Sequence, residues 1–129
     1  MFSALLVEDN ESFRQLLADT LFTRFPGIDV EEAVDGVDAL CKVEYLHPDM
    51  IFMDIRLPGE NGLELTRKIK EVYGYIVIVI LTGHDLPEYR QRAFRNGADC
   101  FISKGSDDCM EDLLALVEGA IAGKQRRDS

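Results

Sequence analysis

The chain has 129 residues, 47% of them hydrophobic and 29% charged, which fits one globular domain and excludes a wholly disordered chain. Its formal net charge is -10, so we expect no nucleic-acid contact by this domain itself. The N-terminus lacks the basic segment of a signal peptide, and every apolar run falls short of the ~20 residues of a membrane span. We therefore expect a soluble, cytoplasmic protein that does not contact a membrane.

Short apolar runs alternate along the chain with amphipathic stretches of helical length. The predicted strands are Phe2–Val7, Ile28–Ala33, Met50–Met53, Tyr75–Leu81 and Cys100–Ser103. The predicted helices are a first one with Phe13, Leu16, Leu17 and Leu21 on its apolar face, three over Asp35–Leu46, Gly62–Tyr73 and Pro87–Asn96, and a last one with Met110, Leu113, Leu114, Val117 and Ile121 on its apolar face. Asn10 and Ser106 are suited to cap the first and last helices. This alternation predicts an α/β fold with a doubly wound, five-stranded parallel sheet.

The predicted elements form one domain over residues 1–122. Residues 123–129 are polar, and we expect them to be a frayed tail or the start of a linker. Cys41, Cys100 and Cys109 are odd in number and lack a C-x-x-C spacing. This pattern predicts free thiols in a reducing compartment, with a redox role as the alternative.

Polar side chains follow four of the apolar runs. Glu8 and Asp9 come after the first strand, Asp54 after the third, Thr82 after the fourth and Lys104 after the fifth. Because ligands of open α/β sheets bind outside the carboxyl ends of the strands, we expect these side chains to lie together. Three carboxylates in one crevice repel one another unless a cation lies among them, and hard oxygen ligands suit Mg²⁺.

The same residues have chemistry suited to a phosphoryl group. A carboxylate at the end of a buried strand, such as Asp54, can act as a nucleophile towards phosphorus and form an acyl phosphate. The Thr82 hydroxyl can hydrogen-bond a phosphoryl oxygen, and the Lys104 ammonium can neutralise one or pair with Asp54 beforehand. Taken singly, Glu8 and Asp9 could also be a polar strand exit, and Asp54 could be only a loop cap.

In this order the residues resemble the receiver domain of two-component response regulators. The motifs are Leu6-Val7-Glu8-Asp9-Asn10, Met53-Asp54-Ile55-Arg56-Leu57-Pro58-Gly59-Glu60-Asn61-Gly62, Leu81-Thr82-Gly83 and Gly97-Ala98-Asp99-Cys100-Phe101-Ile102-Ser103-Lys104. The resemblance covers about residues 2–122. It implies a flavodoxin-like receiver fold with strand order 2-1-3-4-5, and phosphorylation of Asp54 by a histidine kinase.

The resemblance also implies a role for each matching residue. Asp9, Asp54 and the backbone carbonyl of Arg56 would ligate Mg²⁺ directly, and Glu8 would act mostly through a metal-bound water. Lys104 would contact the phosphoryl group. Thr82 would shift towards it, and the Phe101 ring would turn inward to fill the vacated space, which makes these residues a two-state switch.

Four positions depart from the family pattern or vary within it. Gly105 stands where a proline often follows the lysine, and Phe101 stands where tyrosine is common. Without a hydroxyl, Phe101 is expected to favour the inward position even before phosphorylation, or else to be simply a core residue. Arg56 and His84 lie two positions after Asp54 and Thr82, where the family tunes the lifetime of the phosphorylated state. His84 could instead be an ordinary loop histidine.

The resemblance implies a sensor histidine kinase or a phosphotransfer protein as donor, and an output domain or an effector protein downstream. In the family, the face formed by the fourth helix, fifth strand and fifth helix commonly mediates dimerisation, so a homodimer through this face is possible here. The charges on that face are Arg90, Arg92 and Arg95 in the fourth helix and Asp107, Asp108, Glu111 and Asp112 around the start of the fifth.

Two other functions compete with a phosphorylated receiver. One is a receiver-like interaction module that works without phosphorylation. The other is an aspartyl phosphohydrolase of the haloacid-dehalogenase kind, which needs an acid two residues after the nucleophile, where this chain has Arg56. The receiver interpretation predicts no separate turnover substrate, because such a domain catalyses only its own phosphorylation and dephosphorylation.

Overall fold

The computed structural model describes residues 1–128, in which five strands alternate with five helices. The strands are β1 (Ser3–Val7), β2 (Asp29–Ala33), β3 (Met50–Met53), β4 (Val77–Thr82) and β5 (Cys100–Ser103). The helices are α1 (Glu11–Arg24), α2 (Gly36–Leu46), α3 (Gly62–Val72), α4 (Pro87–Arg95) and α5 (Cys109–Asp128). Both the alternation and the fold class predicted from the sequence are confirmed.

All strands pair in parallel in the order β2-β1-β3-β4-β5, as predicted. The register aligns the carboxyl ends of the central strands, because Val7 pairs with Met53, and Met53 pairs with Ile80. Residues that follow β1 and β3 therefore emerge side by side. The sheet order places β3, which precedes Asp54, between β1 and β4.

Two hydrophobic clusters cover the two faces of the sheet. On one face, buried residues of α2, α3 and α4 such as Val43, Ile69 and Ala93 pack on the strands. On the other, residues of α1 and α5 such as Leu21 and Val117 do so. Central strands covered on both faces are almost wholly apolar, as in β3 and β4, whereas the edge strand β2 also carries Asp29, Glu31 and Glu32. Within residues 1–128, no helix is both long and apolar enough to cross a membrane.

Of three side-chain positions predicted for the first and last helices, one agrees with the structure and two differ. Leu16 was expected on the apolar face of the first helix, but its side chain is 54% exposed. Asn10 caps α1 by accepting the amide of Phe13 at 2.9 Å, as predicted. Ser106 does not cap α5, which begins only at Cys109. Its hydroxyl instead accepts the amide of Asp108 at 3.3 Å, in the turn that precedes the helix.

The polar tail predicted from residue 123 is helical as far as Asp128, and Ser129 lies outside the described residues. Lys124 holds this last part of α5 against the N-terminal edge of the sheet. Its ammonium donates to the Asp49 carboxylate at 3.0 Å and to the carbonyl oxygen of Met1 at 2.8 Å. These long-range contacts stabilise a segment whose own sequence is merely polar.

Candidate functional site

The residues predicted from the strand ends meet at the carboxyl edge of the sheet. Glu8 and Asp54, which directly follow β1 and β3, are 4% and 8% exposed. Asp9 is exposed beside them, Thr82 is the buried last residue of β4, and Lys104 follows β5. The parallel register accounts for this arrangement, since it brings strand ends together that lie far apart in the sequence.

Three carboxylates form a cluster suited to a cation. One oxygen of each of Glu8, Asp9 and Asp54 lies within 4.8 Å of the other two. Hard oxygen donors at this spacing fit Mg²⁺, which uses few carboxylates and completes its octahedral shell with other oxygens. Within residues 1–128, no hydrogen bond or ion pair fixes the Asp9 carboxylate, so it is available as a ligand. The residues present therefore fit a magnesium site.

Lys104 links two of these carboxylates. Its ammonium forms an ion pair with Glu8 and another with Asp54, the latter at 3.1 Å. The pairing with Asp54 was predicted, and the pairing with Glu8 is additional. Partial burial lowers the pKa of Lys104, but the Glu8 hydrogen bond and the Asp54 charge outweigh this effect and raise that pKa above its usual value. Lys104 is therefore a cation at neutral pH.

The acidic cluster retains unbalanced negative charge in spite of Lys104. Burial and the nearby charge of Asp54 raise the pKa of Glu8 above 4.5, although the Lys104 hydrogen bond lowers it. A raised carboxyl pKa means that the ionised form is disfavoured in this environment. An added cation would relieve that repulsion.

The Asp54 carboxylate is held by its own strand and by Lys104. Its Oδ1 accepts the amide of Ile55 at 2.7 Å, and its Oδ2 accepts from Lys104. The Asp54 amide donates to the carbonyl of Val7 at 3.0 Å, which extends the pairing of β3 with β1 by one residue. Asp54 is thus a fixed side chain at the floor of the acidic cluster.

Thr82 and His84 are joined by a hydrogen bond in which the His84 amide donates to Thr82 Oγ1 at 3.2 Å. Since the Thr82 side chain is fully buried, it cannot meet an incoming group without a rearrangement of this loop. Thr82 is also tied to the neighbouring strand end, because its carbonyl accepts the amide of Lys104 at 2.9 Å.

Phe101 lies inward, with 8% of its surface exposed, in the cluster beneath α4. The Arg90 guanidinium of α4 stands 4.5 Å from the centroid of its ring, in a cation–π contact. Both its preference for the inward position before phosphorylation and its role as a switch residue stay predictions. Phe101 is thus part of the core next to the acidic cluster.

Arg56 is exposed in the loop after Asp54 and forms an isolated antiparallel bridge with Asn61. This bridge turns the loop back towards α3. The predicted metal contact of the Arg56 carbonyl, and the predicted influence of Arg56 and His84 on phosphoryl lifetime, stay predictions.

Sequence reasoning missed three contributors to the site. The Phe13 ring, expected in the core, lies 4.5 Å from the Lys104 ammonium. Gly62 leaves room for the backbone of Asp54, since a Cβ at Gly62 would come within 1.9 Å of the Asp54 carbonyl oxygen. Arg14 donates to the carbonyl of Glu8 at 2.8 Å. One available signal was the i, i+4 spacing of Asn10 and Arg14, which directs both towards the end of β1.

Comparison with known proteins agrees with this fold and shows the family of the chain. The sequence model of the family described as the response regulator receiver domain matches residues 4–118. The chain is 33% identical over 117 residues to the transcriptional regulatory protein TrcR of Mycobacterium tuberculosis, covering 91% of this chain and 44% of TrcR. It is 41% identical over 95 residues to the oxygen regulatory protein NreC of Staphylococcus carnosus, covering 73% of this chain and 43% of NreC.

A solved structure of similar fold is that of a LuxR-family two-component response regulator from Aurantimonas sp. SI85-9A1. It matches with a TM-score of 0.82 and 34% identity, over 94% of this chain and 85% of that one. Fold, site and sequence together define a signalling domain of the receiver class. The chain belongs to the response regulator receiver domain family. It spans less than half the length of TrcR and of NreC.

Proposed function

We propose that this chain receives a phosphoryl group on Asp54 in a Mg²⁺-dependent reaction and then changes conformation to control an output. The observation that carries the proposal is the position of Asp54. Its carboxylate lies within 4.8 Å of two other carboxylates and accepts a hydrogen bond from Lys104. A nucleophile, a cation site and a fixed positive charge are thereby combined in one crevice.

In the transfer, an oxygen of Asp54 forms a bond to phosphorus as the bond between phosphorus and the donor's histidine nitrogen breaks. The electron pair of that bond stays on the nitrogen. Lys104, whose raised pKa keeps it protonated, then stabilises the negative phosphoryl oxygens. Its ammonium can leave Glu8 and turn to the new group, because the side chain is flexible and has three donors.

Asp9, Asp54 and the Arg56 carbonyl would hold the metal, with Glu8 acting mostly through a metal-bound water. When bound, Mg²⁺ supplies positive charge for the phosphoryl oxygens. Asp9 supports this assignment because its carboxylate is exposed and unpaired within residues 1–128.

The burial of Thr82 supports a conformational response. Its hydroxyl oxygen already accepts the His84 amide, but its proton remains available to a phosphoryl oxygen. Because Thr82 is fully buried, this bond requires the residue and its loop to move. Phe101, already inward, would favour the rearranged state, and Arg56 and His84 would influence how fast water removes the phosphoryl group.

The donor would be a sensor histidine kinase or a phosphotransfer protein in the cytoplasm. The similar protein TrcR is a transcriptional regulatory protein, so an attached output domain or a separate effector is a fitting recipient of the signal. A homodimer through α4, β5 and α5 would let the arginines of α4 in one copy pair with the acidic residues around the start of α5 in the other. By this proposal the chain has no separate turnover substrate.

Phosphorylation is tested by mass spectrometry of the intact protein after incubation with acetyl phosphate, with and without Mg²⁺. We expect an adduct of one phosphoryl group that requires Mg²⁺ and is stable in acid but labile in base. Asp54→Ala should abolish the adduct. Asp107→Ala, which removes an exposed carboxylate outside the cluster, should leave it unchanged.

The proposal would be overturned by a folded wild-type protein that forms no adduct with acetyl phosphate or with phosphorylated histidine kinases. An equal adduct on Asp54→Ala would place the acceptor elsewhere. The first outcome would favour an interaction module that works without phosphorylation.

A further inference from the structure

We propose that Arg14 is a positioning residue for the metal site, because it fixes the peptide group between Glu8 and Asp9. The inference rests on the proposed function, since it concerns the same site. Arg14 Nε donates to Glu32 Oε1 at 2.8 Å, and a terminal nitrogen of the same guanidinium donates to the Glu8 carbonyl oxygen at 2.8 Å. One planar group thus connects β2 to the turn that carries two of the three carboxylates.

The backbone of Glu8 is held on both sides of its Cα, in the peptide group before it by β2 and in the peptide group after it by the Arg14 guanidinium. The amide of Glu8 donates to the carbonyl of Ala33 at 3.0 Å, so Glu8 is bonded to β2 through its nitrogen and to Arg14 through its oxygen. Arg14 itself is only 15% exposed and is anchored to Glu32, so its fork has little freedom to move.

Asp9 depends most on this restraint. The peptide plane that contains the Glu8 carbonyl also contains the Asp9 nitrogen, and its orientation therefore sets the direction in which Asp9 leaves the strand. No hydrogen bond or ion pair within residues 1–128 holds the Asp9 carboxylate itself. Without Arg14 the peptide would rotate more freely, and the Asp9 oxygen would spend less time near Glu8 and Asp54.

A purely electrostatic role for Arg14 predicts the opposite change in Mg²⁺ affinity when Arg14 is removed. Arg14 is a cation next to an acidic cluster, so by Coulomb's law alone its removal should strengthen the binding of Mg²⁺. If Arg14 instead positions Asp9, its removal should weaken binding, because residues that orient metal ligands typically change affinity by roughly 10–100-fold. The sign of the change therefore separates the two roles.

The test is a titration of the metal-free, ¹⁵N-labelled protein with Mg²⁺, followed through backbone amide shifts in NMR spectra. Arg14→Gln should raise the Kd for Mg²⁺ by about 10-fold. Arg14→Lys keeps the positive charge but loses the planar guanidinium that bonds Glu32 and Glu8 together, and it should also raise the Kd for Mg²⁺. Arg24→Gln is the matched control, since it removes an equal charge from the same helix at a residue paired with the exposed Glu118.

Thermal unfolding without Mg²⁺ establishes whether each variant is folded. If Arg14→Gln is not folded, Arg14→Lys replaces it as the test variant. Tighter binding by Arg14→Gln together with an unchanged Kd for Arg14→Lys would overturn the inference in favour of a charge effect. Equal Kd values in wild type and both variants would also overturn it. Absence of Mg²⁺ binding by the folded wild type would instead refute the proposed function.

Discussion

Gly62, the first residue of α3, lies against the backbone of Asp54: a Cβ at Gly62 would come within 1.9 Å of the Asp54 carbonyl oxygen. The amide of Gly62 donates to the carbonyl of Ile55 at 2.7 Å, so the loop is closed tightly over the end of β3. Backbone atoms cannot move aside as a flexible side chain does. Any larger residue at this position must therefore displace either the backbone of Asp54 or the start of α3.

We expect Gly62→Ala to lower the free energy of unfolding by about 3 kcal/mol, at the upper end of the usual range for overpacking. It should also reduce the phosphorylation of Asp54 by acetyl phosphate in molecules that remain folded. Chemical denaturation and intact mass spectrometry measure the two effects.

The control for this variant is Gly119→Ala in α5, where a Cβ meets nothing within 4 Å. Replacing glycine by alanine inside a helix should there stabilise the protein by roughly 0.5–1 kcal/mol. A Gly62→Ala protein as stable as wild type would contradict the close approach to Asp54.

Lys104→Met should destabilise the metal-free protein, because Glu8 and Asp54 would lose the cation that pairs with both. The expected loss in free energy of unfolding is on the order of 1–3 kcal/mol. Mg²⁺ should bind this variant more tightly than wild type and restore part of the stability, since a competing positive charge is gone. Denaturation with and without Mg²⁺ measures both changes.

Lys68→Met is the control for Lys104→Met, because the side chain of Lys68 is 44% exposed and pairs with Glu60 away from the cluster. It should alter neither stability nor Mg²⁺ affinity appreciably. Unchanged Mg²⁺ affinity in Lys104→Met would show that the ammonium does not compete with the metal.

Glu8→Gln should stabilise the metal-free protein, and the gain should grow with pH. The pKa of Glu8 is raised above 4.5 in the folded state, chiefly by burial. As the pH rises through this window, the unfolded chain releases a proton that the folded chain retains, so the wild type loses stability. The Glu8→Gln variant does not lose stability in this way, because a glutamine side chain does not titrate. Unfolding free energies from pH 4 to pH 8 test the trend, with the exposed Glu44→Gln as the control.

The contact of Arg90 with the Phe101 ring should contribute a coupling energy of about 0.5–1 kcal/mol. A double-mutant cycle with Arg90→Ala and Phe101→Leu, read out by the free energy of unfolding, measures this energy. The comparison cycle uses Arg92→Ala, since a residue two positions further along a helix points to another side. Equal coupling in both cycles would argue against the ring contact.

The alternation of strands and helices was predictable because central parallel strands such as β3 and β4, which are covered on both faces, are apolar along nearly their whole length. The same reasoning placed Glu8, Asp54 and Lys104 at one edge, since parallel strands that are aligned in register end together. These predictions use only the chemistry of the backbone and the burial of whole segments.

Individual side-chain contacts could not be obtained in this way. The helical period put Phe13 and Leu16 on one apolar face. Phe13 does pack against the core and also contacts the Lys104 ammonium, but Leu16 is 54% exposed. The period describes the helix alone, whereas these outcomes depend on what packs against it. The end of α5 was missed for a similar reason, because its support comes from the contact of Lys124 with Asp49, 75 residues earlier in the chain.

The cation that pairs with Glu8 and Asp54 directly follows β5, the last of the five strands of this sheet in chain order. A nascent chain that has already assembled β1, β3 and β4 would carry Asp54 and the rest of the acidic cluster, but it would lack Lys104 until β5 leaves the ribosome and docks on the edge of the sheet. Docking of that edge strand would then complete the five-stranded sheet and bring a positive charge to the cluster in one event.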